Sequence, residues 1–106
     1  MNIEAKSLTM GDSKLFENLV DREQVMINHV VVPAGDGFEA HETDSNVYLH
    51  ILRGTISLTF ADGAVQDYAG GQVVEILHKT LMKIDNKASG PLEMIVIKAP
   101  NPKTLV

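Results

Sequence analysis

From residue 25 onward, short runs rich in Val, Ile, Leu and Thr alternate with clusters of Gly, Asp, Asn and Pro, at intervals that suit strands and are too short for helices. The runs cover residues 25–32, 38–43, 47–52, 55–60, 64–68, 72–77, 81–85 and 92–98. Ala61-Asp62-Gly63 predicts a hairpin turn, because Asp-Gly readily supplies the positive φ angles that tight hairpins need. Many short strands in series predict an all-β sandwich or barrel. Pro100 and Pro102 lack the N–H donors that would carry a ladder further, so the barrel is expected to end there.

Residues 13–20 are open to two readings. Ser13 as N-cap with Leu15, Phe16, Leu19 and Val20 as an apolar stripe fits a short helix, and an irregular strand fits nearly as well. The expected organisation is an N-terminal segment over 1–24 that packs on the barrel or on a partner subunit, a barrel over 25–100 and a tail over 101–106.

Composition excludes several functions. A chain of 106 residues buries roughly two thirds of its unfolded surface and needs no staple. It has no cysteine, which removes disulfides, thiolate metal sites and thiol nucleophiles together. A net charge of -5 with scattered lysines gives no clustered basic face for phosphates, and an aromatic content of 5% without tryptophan gives no stacking platform. No stretch approaches the roughly 20 apolar residues of a membrane helix, and the opening residues lack the basic start and apolar run of a secretion signal. The expectation is a cytoplasmic protein that binds neither nucleic acid nor membrane.

Two spaced motifs narrow the fold further. Gly35, His41, Thr43, Val47 and Gly54 form one register, and Gly71, Leu77, Lys79, Met82 and Asn86 form a second, with sixteen residues between Gly54 and Gly71. Both resemble the signature motifs of the cupin superfamily, G(x)5HxH(x)3-4E(x)6G and G(x)5PxG(x)2H(x)3N, and the short gap resembles its compact single-domain bacterial members. The resemblance implies a double-stranded β-helix, a small jelly-roll barrel whose motif residues line the inside of one end. It also implies four metal-ligand positions, which here hold His41, Thr43, Val47 and Met82, so one ligand of four is kept.

Side chains alternate along a strand, so Glu39 and Thr43 are expected on the face of His41, and Val47, Leu49 and Ile51 form one inward set, faced by Met82 and Ile84. Such a lining makes a poor metal cage, because catalytic zinc or iron needs about three donors from His, Asp, Glu or Cys. The expectation is therefore a domain that holds a small organic molecule without a cofactor, with His41 as main polar contact and Thr43, Val47, Leu49, Ile51 and Met82 around it. The alternative is a dioxygenase or isomerase that recruits a divalent transition metal through His41 and Glu39. Two further readings are a metal-free epimerase with His41 as general base oriented by Glu39, and a purely structural dimer. His29, His50 and His78 read as surface or interface residues, and Asn86 as a loop side chain bonded to nearby backbone. Tyr48, His50 and Leu52 make the second face of residues 47–52 largely apolar as well, which predicts a strand buried on both faces, either between the two sheets or beneath a partner subunit; the cupin resemblance implies a homodimer.

Overall fold

The computed structural model describes residues 2–106. Nine strands form: β1 (Leu15–Arg22), β2 (Val25–Val32), β3 (His41–Glu42), β4 (Asn46–Arg53), β5 (Thr55–Phe60), β6 (Val65–Ala69), β7 (Val73–Ile76), β8 (Leu81–Asp85) and β9 (Leu92–Ala99). They build a five-stranded sheet in the order β1-β2-β9-β4-β7 and a four-stranded sheet in the order β3-β8-β5-β6, with every pairing antiparallel. One apolar core joins the two, with Val30, Leu49 and Met94 from the first sheet meeting Leu58, Met82 and Ile84 from the second. Truncating a fully buried leucine such as Leu49 or Leu58 to alanine costs about 2–5 kcal/mol in such a core. The all-β jelly-roll expectation holds. Among the described residues no helix is long and apolar enough to cross a membrane.

Three features of the chain fix this geometry. Gly54 has φ +84°, and a Cβ there would run into the Pro91 carbonyl oxygen, so the turn between β4 and β5 admits only glycine. The Asn86 side chain donates to the carbonyls of Val32 and Gly90 at 2.9 Å each and accepts from the Ala88 N–H at 3.1 Å. It thereby ties the end of β2 to the loop after β8 from a buried position, as a loop asparagine bonded to backbone. Thr43 is likewise buried: its hydroxyl donates to the Leu77 carbonyl at 2.7 Å and accepts from the Thr80 N–H at 3.0 Å, pinning the turn that precedes β8.

Two expectations are corrected. Residues 13–20 take the strand, so the sheet begins at Leu15 and not at residue 25. The apolar spacing looked helical because a register shift between Asn18 and Val20 inserts an extra residue, turning Leu15 and Val20 to the same face despite their odd separation. Residues 38–43 yield only the two-residue β3: Phe38 N–H bonds the Ile84 carbonyl and Gly37 bridges Asp85, but Glu39 and Ala40 join no ladder.

Candidate functional site

An opening at the end of the barrel beside β3 leads into a cavity of about 390 Å³. Its depth is apolar. Val47 and Leu49 of β4, Met82 and Ile84 of β8 and Met94 and Val96 of β9 form the walls, each brought inward by strand alternation. Polar groups sit at the mouth: Glu39, His41, Asp44 and Lys98, with Phe16 and Phe38 as apolar rim. Phe16 is 66% exposed, an aromatic ring left in solvent over a hollow.

His41 pairs with Met82 across the β3–β8 ladder, which sets both on the cavity side, His41 exposed at the rim and Met82 buried. Its Nδ1 lies 3.1 Å from the backbone carbonyl of Glu39. A carbonyl only accepts, so Nδ1 donates, and when the ring is neutral Nε2 is left as an acceptor. The expected partnership of His41 with Glu39 therefore runs through Glu39's backbone, and the Glu39 carboxylate has no ion pair or hydrogen bond among the described residues. Lys98 Nζ pairs with Asp44 Oδ1 at 3.0 Å.

Of the residues expected around a ligand, His41, Glu39, Thr43, Val47, Leu49 and Met82 border this cavity. Ile51 does not: it shares their face of β4 but lies roughly 13 Å beyond Val47 along the strand, fully enclosed in the core. Alternation gave the correct side and could not give the depth. Phe16, Phe38, Asp44 and Lys98 were not anticipated. Phe16 was hidden by the irregular strand, and Lys98 could have been found from its pairing parity with Met94 and Val96 on β9.

The donor set does not fit a resident metal. Among the described residues no three His, Cys, Asp or Glu side chains converge, and beside His41 the cavity carries the Thr43 hydroxyl, already bonded to Leu77 and Thr80, and the apolar Val47 and Met82.

A second polar cluster lies on the outer face of the five-stranded sheet. His29, expected at the surface or at an interface, is 0% exposed within the single chain, enclosed by the chain's own residues. Its Nδ1 meets Glu17 Oε1 at 2.7 Å and its Nε2 meets Glu93 Oε2 at 2.6 Å. Glu17 and Glu93 come from the flanking regions of β1 and β9, so pairing with carboxylates, not exposure to water, is what satisfies the ring. The Glu17 carboxyl is held down to about 2 by the Thr9 N–H, the Thr9 hydroxyl and then His29. Burial pushes Glu93 up, but hydrogen bonds from Arg53 and His29 outweigh it and leave it below the ordinary range. Arg53 bonds Glu93 at 2.7 Å through Nε and reaches Asp12 and the Gly11 carbonyl at 2.8 and 2.6 Å. His50 and His78 are exposed.

No protein-family model matches the chain. An uncharacterised protein of the archaeon Methanocaldococcus jannaschii is 40% identical over 93 residues, covering 88% of this chain and 80% of that protein. A crystal structure from the same organism, described as an RmlC-like cupin family protein with a double-stranded β-helix fold, superposes with a TM-score of 0.92 at 36% identity, over 99% of this chain and 97% of that one. A cupin superfamily protein of Desulfitobacterium hafniense, at 20% identity and a TM-score of 0.74 over 88% of this chain and 83% of its own, shows the fold alone. The 40% identical relative is archaeal, in place of the bacterial kinship that the short gap between the motifs implied. From the strand order, the two motifs and this likeness, the chain belongs to the cupin superfamily and its fold is the double-stranded β-helix.

Proposed function

We propose that this protein is a small-molecule-binding cupin domain that works without a resident metal and holds an organic ligand in the barrel beside His41. The observation that carries the reading is the open, apolar cavity of about 390 Å³ at the place where the superfamily's ligand positions fall, with Thr43, Val47 and Met82 in place of three donors. Walls of this kind favour apolar guests at roughly 25 cal/mol per Å² of surface taken from water. The absence of cysteine suits a reducing compartment, and the reading places the protein in the cytoplasm. Elemental analysis of untagged protein, paired with calorimetric titration of small aromatic guests, tests it. The expected result is guest binding that disappears on filling the cavity with Val96→Phe, without stoichiometric metal. One transition metal bound per chain would overturn it in favour of an enzyme using His41 and Glu39.

The partner proposed is a second copy of this chain. Val20, Ile27, Ile97 and Tyr48 form a row of half-buried apolar side chains across four neighbouring strands of the outer sheet face, with Ile95 beside it. A sheet with one face in water normally turns polar residues outward. Four eight-residue strands at about 4.8 Å spacing are roughly 19 Å across and about 26 Å long, a projected face of about 500 Å², the same order as the ~800 Å² each partner buries in a stable dimer. Sedimentation should return a dimer at micromolar concentration and a monomer for Ile97→Arg; a monomeric parent protein would refute the pairing.

A further inference from the structure

We infer that the cavity selects ligands with an apolar body and a hydrogen-bond-donating, preferably cationic amine, head group, an inference that rests on the organic-ligand reading above. The body follows from the depth of the cavity. Among the described residues no buried side-chain nitrogen or oxygen lacks a partner, and Thr43, the hydroxyl nearest the walls, already donates to Leu77 and accepts from Thr80. A polar group carried inside would therefore lose its hydrogen bonds to water and find no free side-chain donor to replace them. At about 30 Å³ per water, the space equals roughly 13 water volumes, which sets the body near a dozen heavy atoms.

The head group follows from the mouth. In the tautomer that the Nδ1 donation to the Glu39 carbonyl selects for a neutral ring, both free groups there accept: His41 Nε2 and the Glu39 carboxylate. The cations nearby are already engaged. Lys98 is held by Asp44 at 3.0 Å, and Lys14, which stands 5.9 Å from the centre of the Phe38 ring, is held by Asp36 at 3.1 Å. Each of these pairs is neutral, so Glu39 leaves the rim with an uncompensated negative charge. An ammonium meets that carboxylate in a charge-assisted bond, whereas a ligand carboxylate would face Glu39 and would have to take Lys98 from Asp44. Phe16 and Phe38 then flank the junction between body and head.

Calorimetric titration with 4-phenylbutylamine, 4-phenylbutanol and 4-phenylbutanoate decides this, because the three share one body and differ only in the head. The amine should bind tightest, at least tenfold tighter than the carboxylate, and Glu39→Gln should reduce the amine's affinity about five- to tenfold and the alcohol's by clearly less, narrowing the gap between them. A carboxylate that binds as tightly as the amine overturns the inference and leaves the organic-ligand reading standing. An amine preference that survives Glu39→Gln overturns the role given to that carboxylate. If none of the three binds, the organic-ligand reading falls and this inference with it.

Discussion

His29 and His41 are both imidazoles beside glutamates, and the barrel uses them in opposite ways. His29 is enclosed, with a carboxylate oxygen on each ring nitrogen, so neither nitrogen is left open. His41 is exposed, bonded on one side to a backbone carbonyl and open on the other. The comparison teaches that position in the family motif and burial are separate properties. The histidine at the motif position is the loosely held one, while the one outside both motifs is locked into the scaffold. A saturated ring holds structure, and an unsaturated ring at a cavity mouth is available to a guest.

The largest effect should come from removing the locked ring. His29→Leu leaves the Glu17 and Glu93 carboxylates facing an apolar side chain, and is expected to lower unfolding free energy by about 3 kcal/mol in urea titration. A loss below about 1 kcal/mol would erase the distinction between the two histidines.

Acid should act next, through the same cluster. The Glu17 carboxyl titrates at about 2 in the folded protein against an ordinary value of 4.5. A depressed folded value means the contribution is present above pH 4.5 and is lost as pH falls from there toward 2. Denaturation midpoints measured across that window should fall steadily, and Glu17→Gln should flatten the fall.

A smaller stability change, with a large binding change, is expected at the cavity wall. Val96→Phe places a ring in existing space, so the thermal midpoint should move little while uptake of aromatic guests is lost. The smallest stability effect belongs to His41→Ala, within about 0.5 kcal/mol because the ring is exposed, although affinity for a donor-headed guest should drop. A destabilisation by His41→Ala as large as that of His29→Leu would show His41 to be structural.

Much of the barrel was legible because alternation and turn chemistry are local. Residues 25–32, 55–60 and 81–85 became β2, β5 and β8 at the bounds expected. β1 was ambiguous because the bulge after Asn18 breaks the period of two that identifies a strand. His29 was misplaced because its partners stand 12 and 64 residues away in sequence, a distance no local pattern spans. At the candidate site, parity gave the side on which Val47, Leu49 and Met82 fall. How far the hollow reaches depends on sheet curvature, so Ile51, on the same face of β4, falls beyond it. Phe16 arrives from a strand outside both motifs, and Asp44 and Lys98 meet only through the fold.

Phe16 and Glu17 are consecutive residues of β1, so they point to opposite sides of the sheet. One touches the hollow, the other the ionic chain that runs from Thr9 to Asp12 through His29 and Arg53. The strand is therefore a shared hinge plate: engineering that slackens its outward bolts also unseats the lip over the guest, so durability and retention at this edge cannot be adjusted one at a time.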